Sequence, residues 1–347
     1  MEFPELNDAW RIKRLIPPTG PVDVVLDTDT YNEVDDQFAV TYALLSPEKI
    51  RLHALYAAPF SNNRSSGPAD GMEKSYEEIL RLLDRLGVGS DAKRSDAKRS
   101  DAVFRGSTRY LGSPEDPMSQ QAANWSRRGS AHSLGSPERA CESEAAMDLI
   151  ARAMARSTDD APLYVATIGA ITNVASAILM EPEIIKRIVV VWLGGHAFHW
   201  PDTKEFNLWQ DPDAARVIFD CGVPVVQIPV MGVCSHLHTT IPELDAHVAG
   251  RGAIGDYLVE TVRGYHSDHF AWSKVIWDIS AIAYLLNESW TPTSLVHSPI
   301  VTEQGTWSFD VRRHLIRSAT HVHRDPIFAD LFAKLDKAKP FSGATRS

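Results

Sequence analysis

Five acidic residues are crowded into one short segment near the start of the chain. The segment 24–39 reads VVLDTDTYNEVDDQFA, in which an apolar stretch is followed by Asp27, Asp29, Glu33, Asp35 and Asp36. So many like charges repel one another unless a cation neutralises them. Oxygen ligands without a neighbouring His or Cys favour Ca²⁺ or Mg²⁺ over Zn²⁺. The segment therefore predicts a divalent metal site; the alternative is a solvated acidic turn in which Asp35 or Asp36 caps the next helix.

The chain around this segment alternates between short apolar runs and helical patterns. Strands are predicted at 22–26, 52–58, 163–167, 188–193 and 223–228, and helices at 37–45, 72–86, 172–180 and 213–220. This alternation favours an α/β protein with a mostly parallel, doubly wound (Rossmann-like) sheet flanked by helices. Ligands of such sheets bind beyond the carboxyl ends of the strands, which is where the acidic segment lies.

The composition is that of an ordinary globular protein. The 347 residues are 44% hydrophobic and 23% charged, and the formal net charge is −10. The acidic balance argues against a nucleic-acid or membrane partner, and the three cysteines are too few for a disulfide framework. No apolar run is long enough to span a bilayer, and the N-terminal segment lacks the apolar stretch of a signal peptide. We therefore expect a cytoplasmic protein.

Two segments interrupt the alternation of strands and helices. Residues 90–102 read SDAKRSDAKRSDA, a repeat without an apolar face that predicts a solvated surface loop. Residues 112–137 are rich in Gly, Ser, Pro and Asn, and are either a mobile lid or a long loop. Because the alternation resumes after both segments, we predict a single domain over 1–347 with its core at 22–335.

Four blocks of sequence, in order, resemble the nucleoside hydrolases (the inosine-uridine-preferring family). The first, DTDTYNEVDD at 27–36, matches the opening DTDxxxDD with two additional residues; the others are YVATIGAITNVA at 164–175, WLGGHAFHWPDTKEFNLWQDPDAA at 192–215 and WDI at 277–279. The resemblance implies the nucleoside hydrolase fold. It also implies a calcium-dependent glycosidase of nucleoside catabolism, which hydrolyses the N-glycosidic bond of ribonucleosides to free base and ribose.

The same resemblance implies the residues of a metal site. Ca²⁺ would be bound by Asp29, Asp36, Asp278 and the main-chain carbonyl of Ile168. If the alignment with the family is shifted by one residue, the carbonyl is that of Thr167. Asp29 is also the predicted base that takes a proton from the attacking water.

A nucleoside site is implied beside the metal. Asp35, Glu205, Asn207 and Asn62 would bind the ribose, with Asn63 as the rival register for Asn62. Asp27 would support the metal loop from behind.

Two positions depart from the family's pattern. Trp277 stands where many members carry a His that protonates the leaving base, and an aromatic face that stacks on the base slightly favours purine nucleosides. The alternative role for Trp277 is core packing. Trp125 is the candidate for a second Trp that stacks on the base. His199 stands where other members have a ribose-binding Asn. We expect His236, His238, His266 and His269 near the mouth of the pocket, with His269 or Tyr265 as a candidate acid for the leaving group.

Other functions remain open from the sequence. VVLDTDT also resembles the strand-DxDxT opening of haloacid-dehalogenase-like phosphatases, which would make Asp27 a nucleophile and Asp29 an acid/base, although no late paired-Asp motif follows. A non-catalytic nucleoside or ribose binder and a hydrolase of another ribosyl compound are further alternatives. The family resemblance implies a homodimer or homotetramer.

Overall fold

The computed structural model describes residues 3–88, 102–111 and 140–338. The low-complexity repeat at 90–101, the segment 112–137 and Trp125 lie outside the described residues.

The strands of the described chain form one large sheet and two small ribbons. They are β1 Val22–Thr28, β2 Ile50–Ala57, β3 Val103–Arg105, β4 Leu163–Thr167, β5 Ile188–Leu193, β6 Val225–Ile228, β7 His238–Thr239, β8 Lys274–Val275, β9 Thr293–His297, β10 Ile300–Val301, β11 Trp307–Ser308 and β12 Leu315–Ala319. The large sheet has eight strands in the order β3-β2-β1-β4-β5-β6-β12-β9. All its neighbouring strands are parallel except β9, which runs antiparallel to β12 at the edge. This architecture confirms the predicted fold class.

Helices cover both faces of the sheet. The α-helices of the described chain are α1 Asp8–Arg14, α2 Asp36–Leu44, α3 Pro68–Arg85, α4 Glu144–Met154, α5 Thr172–Met180, α6 Phe206–Gln210, α7 Pro212–Asp220, α8 Ile241–His247, α9 Gly252–Tyr265, α10 Ile279–Leu286 and α11 Arg324–Lys337. Side chains of β1 alternate between two cores: Val24 and Leu26 pack with one, and Val25 packs with the other. No helix among these is both long and apolar enough to cross a membrane.

The predicted elements agree with the structure where the apolar pattern is continuous. The bounds of β4, β5 and α5 coincide with the prediction. Strand β6 starts two residues later than predicted, after Pro224, which has no N–H for a ladder hydrogen bond. Helix α3 starts earlier, because Pro68 fits the first helical turn.

The strand order creates a crevice beside β1. The chain proceeds from β1 to β2 and β3 on one side, and then crosses to β4, β5 and β6 on the other. The connections that follow β1 and β4 therefore diverge at the carboxyl ends of these strands, where doubly wound sheets bind ligands.

Candidate active site

A cavity of about 970 Å³ opens at this crevice. All nine residues predicted for the metal and substrate sites line it: Asp29, Asp35, Asp36, Asn62, Ile168, Glu205, Asn207, Trp277 and Asp278. Chain segments that are far apart in sequence contribute to the wall, and the sheet brings them together at one end.

Three of the aspartates form a compact cluster. Carboxylate oxygens of Asp35, Asp36 and Asp278 lie within 4.8 Å of one another, and all three residues are buried. Asp35 and Asp36 occupy the start of α2, and Asp278 immediately precedes α10. The hydroxyl of Thr28, the last residue of β1, donates a 2.5 Å hydrogen bond to Oδ1 of Asp36.

Asp29 interacts electrostatically with Asp35 and Asp36, and both its carboxylate oxygens are unpartnered in the described structure. The residue is fully buried, and neither carboxylate oxygen has a hydrogen-bond partner within the described chain. Gly169 lies against it, since a Cβ added at Gly169 would be 3.1 Å from Oδ1 of Asp29. A buried carboxylate without a partner is costly unless a proton or a cation neutralises it.

Burial and mutual repulsion raise the pKa values of the four aspartates. Burial is the larger cause for Asp29 and Asp278, whose pKa values are raised well above the ordinary range, and the neighbouring aspartates add to it. Burial raises the pKa of Asp35 to about 8 and that of Asp36 to about 6, where the Thr28 hydroxyl opposes the rise. The three carboxylates of the compact cluster are hard oxygen donors that fit a divalent cation such as Ca²⁺, and Asp29 adds negative charge beside them. Asp35 belongs to the compact cluster, although the sequence assigned it to ribose rather than to the metal.

Asn207 holds the backbone beside the aspartates. Its side-chain amide donates to the carbonyls of Ile168 and Leu193, both at 3.0 Å. The Ile168 carbonyl therefore lies at the cavity wall with one hydrogen bond made, and a carbonyl oxygen has a second lone pair available for a ligand.

Glu205 is fixed at the start of α6. It accepts backbone N–H groups from Gly195 (2.9 Å), Asn207 (2.8 Å) and Leu208 (3.0 Å). Burial raises its pKa to about 7, and these N–H donors oppose the rise. The carboxylate is thus held in one position at the cavity wall without a positively charged partner among its hydrogen bonds.

Asn62 is held by the loop after β1. Its amide donates 2.7 Å to Oδ1 of Asn32, and its Oδ1 accepts the N–H of Arg64 at 2.8 Å. Asn63 also lines the cavity, so the position of either Asn62 or Asn63 suits a ribose-binding Asn.

Asp27 points away from the cavity lining. It is fully buried and accepts hydrogen bonds from the Asn173 amide (2.8 Å) and the Thr167 hydroxyl (3.2 Å). Asp27 lies within β1, whereas Asp29 lies beyond the end of the strand, so the two carboxylates reach different surroundings. This position suits the predicted support of the loop, and it argues against Asp27 as the nucleophile of a phosphatase.

Comparison with known proteins identifies the family. A sequence profile described as "Inosine-uridine preferring nucleoside hydrolase" matches residues 24–329. The chain belongs to this nucleoside hydrolase family. The profile covers most of the sequence, which confirms the resemblance of the four blocks.

Individual relatives are more distant. The pyrimidine-specific ribonucleoside hydrolase RihA of Salmonella enteritidis is 28% identical over 206 residues, which is 58% of this chain and 58% of RihA. The pyrimidine-specific ribonucleoside hydrolase RihB of Escherichia coli is 27% identical over 209 residues, which is 56% of this chain and 65% of RihB. The chain thus spans less than two-thirds of the length of these curated relatives.

Solved structures of nucleoside hydrolases share the fold. A plant nucleoside hydrolase superposes with a TM-score of 0.66 at 19% identity, over 91% of this chain and 99% of that one. A purine-preferring ribonucleoside hydrolase from Gardnerella vaginalis gives 0.68 at 22% identity, over 91% and 98%. At this level of identity the likeness extends to the architecture alone.

The departures from the family's pattern occupy different places in this nucleoside hydrolase fold. Trp277 lines the cavity and also packs partly against the core. Its position is therefore compatible with base stacking and with core packing. His199 is exposed and is not among the lining residues, whereas His196, three positions earlier in the same block, is. The Nδ1 of His196 accepts the N–H of Met231 at 3.3 Å, and burial lowers its pKa.

The histidines expected near the mouth do not line the cavity in the described structure. This holds for His236, His238, His266 and His269, while Tyr265 does line it. The Tyr265 hydroxyl donates to Glu33 at 2.7 Å, and burial followed by that carboxylate raises its pKa to about 12.

Several lining residues were missed from the sequence. Tyr31 and Asn32 come from the stretch that is two residues longer than the family's opening motif, as does Glu33, which the sequence marked only as part of the acidic segment. Glu33 forms a salt bridge with Lys274, whose ammonium lies 2.8 Å from Oε2 of Glu33. The longer motif was visible as a signal, but its contacts with Lys274 and Tyr265 depend on the tertiary fold.

Proposed function

We propose that this chain hydrolyses the N-glycosidic bond of ribonucleosides, releasing free base and ribose, with calcium as the cofactor. The observation that carries the proposal is Asp29, a buried carboxylate with two unpartnered oxygens beside three further buried aspartates. Family membership supports the same reaction. The cavity, at about 970 Å³, has room for a small molecule of nucleoside size.

Asp29, Asp36, Asp278 and the carbonyl of Ile168 would hold the calcium ion, with Asp35 beside them. When bound, the ion supplies positive charge that acidifies a water molecule and orients ribose hydroxyls. Asp29 then accepts the proton that the water loses as it attacks the anomeric carbon.

The sugar is bound by residues that line the same cavity. Asp35 accepts a hydrogen bond from a ribose hydroxyl, and Asn62, Glu205 and Asn207 bind the remaining hydroxyls. As the glycosidic bond breaks, the ribose acquires positive charge. The fixed carboxylate of Glu205 stabilises that charge, because no movement is needed to bring it into place.

The base is expected to stack on Trp277, whose electron-rich face favours a protonated, cationic ring. On this argument purine nucleosides are slightly favoured. The specificities of the relatives differ, since RihA and RihB are pyrimidine-specific and the Gardnerella vaginalis enzyme is purine-preferring. The preference therefore rests on Trp277 alone.

We also infer a homodimer or homotetramer, as the family resemblance implies, and a cytoplasmic location, as expected from the sequence. Light scattering coupled to size-exclusion chromatography measures the first, and fractionation of the native cells measures the second.

Release of free ribose from inosine, adenosine, guanosine, uridine and cytidine, with and without a calcium chelator, tests the proposal. Chelator-sensitive release that returns with added calcium is the expected result. Tight nucleoside binding without release would instead indicate a binding protein, and release from other ribosyl compounds alone would indicate a different substrate class.

A further inference from the structure

One face of α9 lines the cavity along its length. The lining residues follow helical spacing, namely Tyr257, Thr261, Gly264 and Tyr265. Tyr265 contacts Glu33 in the acidic loop, and Tyr257 donates a 2.5 Å hydrogen bond to Glu78 on α3. Eight residues of helix rise about 12 Å. The cavity therefore extends from the acidic loop to a second polar region at α3.

Glu78 organises this second region. Its carboxylate is almost fully buried, lines the cavity, and is paired with Arg81 on its own helix. The side-chain amide of Gln37 donates to Oε1 of Glu78 at 3.4 Å. The opposite orientation of that amide would place an oxygen against a carboxylate, so the bond determines which way Gln37 is turned.

Gln37 is left with an unsatisfied acceptor. Its Oε1 is buried and has no hydrogen-bond partner in the described part of the chain. A buried amide oxygen without a donor costs free energy that a donor from a ligand or a water would recover.

The neighbouring hydroxyl groups are also acceptors. Tyr257 gives its proton to Glu78, and Thr261 gives its proton to the carbonyl of Leu258 at 2.9 Å. The lone pairs of the Thr261 hydroxyl oxygen and Oε1 of Gln37 remain to accept hydrogen bonds, and the Tyr257 oxygen also interacts with the guanidinium of Arg81. This end of the cavity is therefore suited to a ligand group that donates them.

We propose that Gln37, Glu78, Tyr257 and Thr261 form an acceptor subsite that binds the exocyclic amino group of the nucleobase. The subsite selects adenine and cytosine over their keto counterparts, hypoxanthine and uracil. This inference rests on the proposed function. Gln37 directly follows Asp36 in α2, and both residues line the same cavity, so a nucleoside whose ribose is held at the aspartates shares this cavity with the subsite. A keto oxygen there would meet acceptors and leave both sides without a hydrogen bond.

The test compares kcat/KM for adenosine with inosine, and for cytidine with uridine. We expect both ratios to exceed one in the wild type, and to fall about tenfold in Glu78→Gln and Gln37→Met, the loss of one hydrogen bond of about 1.4 kcal/mol. Glu77→Gln is the matched control, because Glu77 is the exposed neighbour on the same helix. Gln37→Met removes the proposed acceptor Oε1 and, within the protein, breaks the 3.4 Å bond to Glu78. It is therefore the variant to use if Glu78→Gln does not fold.

Two results would overturn the subsite. If nucleosides are hydrolysed but the ratios are the same in all variants, this end of the cavity holds only water, while the proposed function stands. If the wild type hydrolyses no nucleoside, the proposed function fails, and calorimetric binding of free adenine and hypoxanthine decides the subsite separately. Tighter binding of adenine that Gln37→Met abolishes supports it, and equal binding of both bases contradicts it.

Discussion

The main-chain N–H of Trp277 donates a 3.1 Å hydrogen bond to Oδ2 of Asp35, across 242 positions of sequence. The bond links the residue expected to contact the base with a carboxylate of the acidic cluster. Because the donor is the backbone, a substitution at Trp277 leaves this link in place. The indole ring can therefore be altered without removing the partner of Asp35.

Trp277→His should shift the base profile away from purines. Stacking of a base on an aromatic ring is worth about 1–3 kcal/mol, so kcat/KM for purine nucleosides should fall about tenfold relative to pyrimidine nucleosides. The measurement is the ratio of inosine to uridine hydrolysis. An unchanged profile would mean that Trp277 serves the core and not the base.

Asp29→Ala should abolish ribose release, with a loss of at least about 10³-fold in kcat, because it removes a metal ligand and the predicted base together. The fold should persist, since no hydrogen bond to either oxygen of Asp29 exists in the described structure. With chelator present, thermal unfolding should occur at the wild-type temperature or higher, because one repelling buried carboxylate is gone. Wild-type turnover would remove Asp29 from the mechanism.

The metal-free protein should lose stability as the pH rises from about 4 to 8. Burial raises the pKa of Asp35 to about 8 and of Asp36 to about 6, compared with 3.8 for an ordinary Asp. In this window the folded state holds protons that the unfolded state has released, so the free energy of unfolding falls with rising pH.

Added calcium should reverse that loss, most strongly at pH 8, because the cation replaces the protons. Calcium at 100 times its Kd would add about 2.7 kcal/mol to the free energy of unfolding. Thermal unfolding with chelator or calcium at pH 5 and pH 8 measures both effects. A chelated protein that is more stable at pH 8 than at pH 5 would contradict the assignment.

Gly169→Ala should reduce activity by displacing Asp29. The added methyl group would lie 3.1 Å from Oδ1 of Asp29 and 3.0 Å from Cβ of Ala58, closer than side chains normally pack. Overpacking of this kind costs about 1–3 kcal/mol of stability. Gly20→Ala is the control, because nothing lies within 4 Å of a Cβ there. Equal kcat and calcium affinity in both variants would show that Asp29 tolerates the shift.

The local sequence was sufficient for features that depend on neighbouring residues. The apolar runs that became β4 and β5 are buried along their whole length, so hydrophobicity alone marked their ends. The crowding of aspartates after β1 predicted a cluster, because like charges in one turn need a neutralising group wherever the turn lies. The four family blocks and their order are properties of the sequence alone, so they predicted the family without any tertiary contact.

Tertiary structure decided which of these residues meet. Asp278 joins Asp35 and Asp36 because α10 and α2 begin at the same crevice. Asp27 is separated from Asp29 because β1 ends at Thr28, between the two residues, and Asp27 is bound by Asn173. His196 rather than His199 lines the cavity, because the packing of the loop after β5 determines which side chain faces it. The pairing of Gln37 and Tyr257 with Glu78 joins three helices across more than half of the chain. Such contacts arise from packing between distant segments of the chain, and the pattern of neighbouring residues does not determine them.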